Sequence, residues 1–147
     1  SADGTAIVGS ARDADGLTQA FRWTADSGMQ ALGPGSARAP SGDGSVVVGG
    51  FHFGEAFIWT EAGGMQNLFD LLVARGVEGL DGWHLDEATG ISDDGRRIVG
   101  NGYGMDGVRQ GFIVDLTPVP APGAALLFLT ALGALGMARP RTKRPSA

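Results

Sequence analysis

The motif Ser-x-Asp-Gly-x-x-x-Val-Gly occurs three times in this chain, at residues 1–9, 41–49 and 92–100. An Asp-Gly pair between short apolar runs is typical of a tight hairpin turn, because glycine takes a positive φ without steric cost. The serine two places before the aspartate can hydrogen-bond the turn backbone. Each motif therefore predicts a turn followed by a buried strand; the three strands are Ile7-Val8, Val46-Val47-Val48 and Ile98-Val99.

Two further segments recur together with this motif. An aromatic strand follows each copy, at residues 20–24, 56–60 and 111–114. Its alternation places Phe21 and Trp23 on one face, and Phe57 and Trp59 likewise. The segment Gly-Met-Gln-x-Leu then follows at 28–32 and again at 64–68. We therefore expect a unit of four short strands: the Met-Gln strand, a strand leading into the Asp-Gly turn, the Val-Gly strand and the aromatic strand.

The spacing of the motif indicates the architecture. Its copies begin 40 and then 51 residues apart. Four-stranded units of about 40–50 residues are typical of β-propeller blades, and a β-solenoid is the alternative. Each unit buries only one stripe of side chains, so it needs neighbours to form a core. We expect an all-β fold, a β-propeller-like array with two full units and a partial one, and hence an open or incomplete array.

The longer second interval predicts an inserted helix. Asn67 is a good helix cap, residues 68–75 space their apolar side chains helically, and Gly76 ends the pattern. We expect this short helix to cover the edge of the sheet array. Residues 77–90 are predicted to form a loop whose Trp83 packs under the helix rather than binding a ligand.

Composition narrows the classes of function. The chain has no cysteine, so disulfides and thiol chemistry are excluded, while 26 glycines of 147 residues fit many turns. Residues 1–138 hold all 16 acidic and seven basic residues, a net charge of −9, and the last nine residues carry +4. An acidic body argues against nucleic-acid binding. Because the chain opens inside a repeat, we expect it to be the C-terminal piece of a longer exported protein.

Residues 117–147 differ from the repeats. A proline linker at 117–122 contains Val119, Pro120, Ala121 and Pro122, and residues 123–138 are uncharged and mostly apolar. Six strong hydrophobes in this stretch give roughly −3 kcal/mol of insertion preference, although 16 residues are short of the roughly 20 that span a bilayer. We expect a transmembrane helix followed by a basic cytoplasmic tail, 139–147, with Arg139, Arg141, Lys143 and Arg144. A buried core helix is the alternative.

The order of proline motif, short apolar helix and basic terminus resembles the PEP-CTERM protein-sorting signal of Gram-negative bacteria that produce exopolysaccharide. The family motif is Val-Pro-Glu-Pro, and Ala121 stands here in place of the glutamate. The resemblance implies recognition of the tail by an exosortase-type membrane protease. It also implies cleavage near the proline motif and release of the repeats.

The repeats at 1–116 resemble the HAF family of extracellular repeats. The matching pieces are the Ser-x-Asp-Gly motif, Ala-Phe-x-Trp-Thr and Gly-Met-Gln-x-Leu. The third copy departs, because Val114 replaces the tryptophan and no Gly-Met-Gln segment follows. The resemblance implies an extracellular location and a repeat fold, and it names no activity.

Residue types that carry catalysis or bind metals are sparse. There are two histidines, at 52 and 84, without a partner at metal-ligand spacing, and no Gly-x-Ser-x-Gly. Asp81, Asp86 and Glu87 are the candidates for a polysaccharide-active pair of carboxylates. Asp13-x-Asp15-Gly16 begins like a calcium loop, but Thr24 stands where an EF-hand requires glutamate.

We therefore expect a protein that is not an enzyme, needs no cofactor and acts in the bacterial envelope or extracellular matrix. Its repeats would face outward from the membrane, or be released to the surface after processing. The expected partners are the exosortase-type protease, the lipid bilayer and exopolysaccharide. An extracellular polysaccharide-active enzyme, or a calcium- or glycan-binding adhesion module, is the alternative.

Overall fold

A computed structural model describes residues 1–117, of which Ser1–Leu116 form one compact unit. Ten strands form three antiparallel sheets, and the first sheet, called sheet 1, contains β1 (Ala6–Arg12), β2 (Thr18–Thr24) and β3 (Gly28–Pro34). Sheet 2 contains β4 (Ser36–Pro40), β5 (Val46–Gly50), β6 (Ala56–Thr60) and β7 (Gly64–Asn67). The helix α1 (Leu68–Ala74) follows, and sheet 3 contains β8 (His84–Ile91), β9 (Arg97–Tyr103) and β10 (Arg109–Asp115). The expected all-β fold with one short helix is confirmed.

The grouping of strands differs from the expected unit. Only sheet 2 has four strands, in the order β4-β5-β6-β7, and the other two sheets have three each among the described residues. The Gly-Met-Gln strand pairs with the aromatic strand that precedes it, Trp59 lying opposite Met65, so it closes a sheet instead of opening the next one. A short turn at Thr60–Gly64 favours this antiparallel pairing over a connection to a new sheet.

The predicted Ser-x-Asp-Gly turns are present in all three copies. Gly4, Gly44 and Gly95 have φ near +70°, and the amide of each donates to the carbonyl of the serine three places earlier. The serine hydroxyl accepts from the amide of Val46 in the second copy, and the other copies repeat this contact. Two of the turns join strands, β4 to β5 and β8 to β9.

The inserted helix begins and ends where the sequence predicts. The Asn67 side chain accepts from the amides of Phe69 and Asp70, which would otherwise lack partners at a helix start. Arg75 is the C-cap, and Gly76 follows with a φ of 71°. Leu68 and Leu72 are buried on the helix face that meets the sheets.

The prediction of a loop over residues 77–90 is wrong beyond Trp83, because β8 begins at His84. The pairing of β8 with β9 shifts register twice, between Leu85 and Glu87 and again between Ala88 and Gly90. These bulges break the alternation of apolar and polar residues, which is the sequence signal for a half-buried strand.

The three sheets stack face to face, and sheet 2 lies in the middle. One cluster of buried side chains joins sheet 1 to sheet 2, and it includes Ala20, Leu32, Val47, Phe57 and Trp59. A second cluster joins sheet 2 to sheet 3 and α1, and it includes Val48, Ile58, Leu72, Ile98 and Val114. β6 is therefore covered on both faces.

The expectation that all three Val-Gly strands are buried is wrong in part. Val47, Val48 and Ile98 are buried, but Ile7 and Val99 are exposed. Both exposed residues lie on the outer face of a flanking sheet, where no further layer formed by residues 1–117 covers them. Position in the stack, rather than residue type, decides the burial of this motif.

Candidate functional site

The three Ser-x-Asp-Gly turns lie beside one another at one end of the stack. The amide of Asp3 donates to the Gly42 carbonyl at 3.2 Å, and the amide of Gly42 donates to the Asp93 carbonyl at 2.9 Å. Neighbouring turns are thus hydrogen-bonded across the sheets. A row of this kind holds the sheets in register.

The aspartates of these turns use their carboxylates locally. Oδ1 of Asp43 accepts from the amide and hydroxyl of Ser45, at 3.0 and 2.7 Å, and from the hydroxyl of Ser41 at 2.8 Å. These bonds, first that from the Ser45 amide, lower the pKa of Asp43 to about 2. The pKa values of Asp3 and Asp94 are lowered in the same way, chiefly by the serine hydroxyl two residues earlier. Such acids stabilise turns, and their low pKa makes them poor general acids at neutral pH.

The carboxylates suggested as a catalytic pair are held by separate arginines. Arg38 Nε lies 2.6 Å from Oε1 of Glu87, which links β4 to β8. Arg109 lies 3.7 Å from Oδ2 of Asp86, which links β10 to β8. Asp81 is exposed in the loop before β8 and lines a hollow between this loop and α1. The structure therefore assigns Asp86 and Glu87 contacts between strands, and neither of them lines the hollow that Asp81 lines.

The Asp13–Gly16 segment forms the turn between β1 and β2. Oδ1 of Asp13 accepts from the amides of Asp15 and Leu17, and Oδ2 accepts from the Gln19 side chain at 2.9 Å. The Gln19 contact is the largest cause of the lowered pKa of Asp13. Within residues 1–117, no group of three or more histidine, aspartate or glutamate side chains is placed to hold a metal ion.

Both histidines connect elements at the opposite end of the stack. His52 Nε2 donates to the Thr18 carbonyl of sheet 1 at 2.6 Å, and His84 Nε2 donates to the Gly54 carbonyl at 2.6 Å. Each contact crosses from one sheet to the next. Both imidazoles therefore connect neighbouring sheets.

Two hollows of the described residues lie around the loop that precedes β8. One of about 320 Å³ lies between this loop and β10 and is lined by Leu80, Trp83 and Phe112. Another of about 590 Å³ lies between the loop and α1. Trp83 is half-buried against the same cluster as the helix residue Phe69, as expected for a packing role. Acidic residues line both hollows beside the apolar ones, Glu78 and Asp115 in the first and Glu78 and Asp81 in the second.

The residues predicted to form the sorting signal lie outside the described residues. This applies to Val119, Pro120, Ala121 and Pro122, to the apolar stretch 123–138, and to Arg139, Arg141, Lys143 and Arg144. Among residues 1–117, no helix has the length and apolarity needed to cross a bilayer.

Comparison with known proteins finds no family model that matches this chain. It likewise finds no similar curated protein and no similar solved structure. The fold places the described residues in the class of all-β proteins built from stacked antiparallel sheets. Within this fold, some carboxylates stabilise turns and others form ion pairs with arginines.

Sequence reasoning missed one feature that bears on binding, namely the exposure of the two outer sheet faces. Ile7, Trp23 and Met29 are exposed on sheet 1, and Val99 and Ile113 on sheet 3. No local signal marks them, because Ile7 and Val47 occupy the same motif position. The repeat alignment could have found them only together with the order of the sheets in the stack.

Proposed function

We propose that this chain is an exported β-repeat protein, sorted to the bacterial surface by its C-terminal tail, with a structural or interaction role in the envelope or extracellular matrix. The observation that carries this proposal is the order of three segments in the tail. These are the proline motif at 119–122, the uncharged apolar stretch at 123–138 and the four cations after it. An exosortase-type protease would recognise this tail and free the repeats, and exopolysaccharide is the proposed surrounding partner.

The features of the described residues that support an interaction role are their stacking and their open faces. Exposed apolar side chains on both outer sheets offer surfaces for other molecules. In all three repeats the aspartate of the turn bonds to the serine of the same turn, so these carboxylates are engaged within the fold and the exposed sheet faces are the favoured binding surfaces.

We also propose that the three sheets are consecutive blades of a propeller-type array. Sheet 2 is a four-stranded antiparallel meander, as propeller blades are, and each neighbour packs on one of its faces. An experimental structure of the exported array would test this. Sheets arranged around a central axis support the proposal, and sheets in a linear coil contradict it.

The sorting proposal is tested by expressing the chain behind an N-terminal export signal and a tag in a Gram-negative host that has an exosortase. Fractionation should place the wild type in the membrane, surface or secreted material. Mass spectrometry should show a mature C-terminus near the proline motif. Replacing Pro120 and Pro122 by alanine should leave an unprocessed, membrane-bound chain.

Two matched variants sharpen this experiment. Ala121→Glu restores the family motif and should be processed at least as efficiently as the wild type. Thr142→Ala changes the basic tail without removing a charge and should behave as the wild type does. A purely cytosolic protein contradicts the proposal, whereas a membrane-bound chain with its Lys143-Arg144 end intact contradicts the processing step alone.

A further inference from the structure

The outer face of sheet 1 carries residues that correspond, in the repeats, to residues of a buried face of sheet 2, but on sheet 1 they are exposed. Alignment of the repeats equates Ile7 with Val47 and Trp23 with Trp59. Ile7 and Trp23 are 57% and 37% exposed, whereas Val47 and Trp59 are 0% and 4% exposed. The equivalent side chains on sheet 2 are covered because that face packs on sheet 1.

The outer face of sheet 3 carries residues that correspond to those of the other buried face of sheet 2, the one that packs on sheet 3, and here too they are exposed. Val99 and Ile113 correspond to Val48 and Ile58. Val99 and Ile113 are 42% and 73% exposed, whereas Val48 and Ile58 are 0% and 5% exposed. Sheet 3 itself covers Val48 and Ile58.

Both internal interfaces follow one rule. The aromatic face of a sheet packs on the opposite face of the sheet before it. Between sheets 1 and 2, the Arg22 guanidinium lies over the Trp59 ring, 5.7 Å from the centre of that ring. Between sheets 2 and 3, Phe112 and Val114 belong to the same cluster as Val48 and Ile58. Among residues 1–117, one face of each kind is therefore exposed, and the two kinds are those that pack together inside the molecule.

We propose that the chain associates head to tail with a second copy of itself. The aromatic face of sheet 1 in one copy packs on the Val99–Ile113 face of sheet 3 in the other, which continues the interface already present twice within the chain. Such a contact is heterologous, so it extends into an open row unless the rotation closes it into a ring.

The charges and turns on the two exposed faces are compatible with the proposed contact between copies. Arg97 and Asp115 lie on the same face as Ile113 and form an ion pair at 3.3 Å, so the face carries no net charge from them. Gly44 lies against Ala6, and Gly95 lies against Val46, whereas Gly4 has open space around it. In the proposed contact, Gly4 of one copy takes the equivalent position over Arg97 of the other.

The test uses one substitution in each face of the full 147-residue chain, kept in one mild detergent because residues 123–138 are apolar. Sedimentation velocity should show that the wild type associates as its concentration rises. Ile7→Glu alone and Ile113→Glu alone should each be monomeric, because every contact needs both faces. An equimolar mixture of the two variants should form a 1:1 heterodimer that does not extend, because it retains one intact face from each.

Met105→Glu is the matched control, since Met105 is an exposed apolar residue of the β9–β10 turn and should leave association unchanged. Met29→Glu and Val99→Glu form a second pair that should reproduce the first, and they decide the outcome if a variant of the first pair does not fold. A wild type that stays monomeric, association that persists in both single variants, or a mixture that stays monomeric would overturn the proposal. Loss of association in only one variant would overturn it too, because that indicates contact between identical faces. The proposal does not depend on where the protein resides, so failure of sorting leaves it intact.

Discussion

The serine and aspartate of each repeat stabilise a turn through hydrogen bonds that include backbone amides. Ser41 donates to Asp43 and accepts from the amide of Val46, and its side chain is buried. Because the bonds favour an ionised Asp43, its carboxylate couples the turn to pH. At the residue scale, each repeat therefore uses an ionised aspartate and a serine to hold the backbone of its turn.

We expect the stability of the fold to fall as pH drops from about 4 to about 2. The folded pKa of Asp43, about 2, lies below its ordinary value of 3.8, so its contribution is present above pH 4 and is lost as the folded form takes up the proton. Asp43→Asn removes this titration. In urea unfolding followed from pH 6 to pH 2, the difference in unfolding free energy between wild type and Asp43→Asn should shrink over that window.

Asp26→Asn, in the exposed turn between β2 and β3, is the control and should track the wild type across the series. A difference between wild type and Asp43→Asn that stays constant from pH 6 to pH 2 would contradict the assignment.

The second glycine of the motif is explained at the scale of paired strands. Gly9, Gly49 and Gly100 lie directly opposite Phe21, Phe57 and Phe112. In each pair the phenylalanine ring lies across the glycine, where a Cβ would meet it. The Val-Gly and aromatic segments recur together because each supplies one half of this contact.

Gly49→Ala should destabilise the protein by about 1–3 kcal/mol, because a Cβ there meets both the Phe57 ring and the Ser36 carbonyl oxygen in a covered layer. Gly9→Ala is the matched substitution and should cost less, because its nearest atom is 3.0 Å away on the Phe21 ring at an open face. Chemical unfolding followed by tryptophan fluorescence measures both. Equal losses would show that the open face does not let the ring move.

Asn67→Ala should lower the unfolding free energy by about 1 kcal/mol, because two amides at the start of α1 lose their acceptor. Asn67→Ser keeps an oxygen that can cap the helix and should retain most of the stability. Urea unfolding of both variants makes the comparison, and equal losses would assign the effect to the Asn67–Glu55 contact instead.

The sequence predicts the turns, the aromatic strands and the capped helix because each depends on neighbours a few residues away. It does not predict β8, whose two bulges hide the alternation. The sequence also does not predict the arginine partners of Asp86 and Glu87. Arg38, for example, is 49 residues from Glu87 and contacts it only because sheets 2 and 3 pack together. For the candidate site, the sequence therefore identifies the acidic residues but does not predict which arginine pairs with each of them.

At the scale of the whole molecule, sheet 2 is the only described sheet covered on both faces. A stack in which each layer contacts only its neighbours gains stability from interfaces, so its middle should open last. The amides of β5 and β6 pair across this covered sheet, whereas β1 and β10 lie at sheet edges.

Hydrogen exchange should therefore be slowest for amides of β5 and β6, such as those of Val48 and Ile58, and fastest for those of β1 and β10. Mass spectrometry of exchanged peptides would measure this order. Uniform protection across the three sheets would instead show that the stack unfolds as one unit.

The rule that an aromatic face meets the opposite face of the preceding sheet gives the stack a direction. An extra unit placed between two existing ones would meet both neighbours through the same pair of faces. Gene duplication or deletion can therefore change the number of repeats without requiring compensating substitutions on either side.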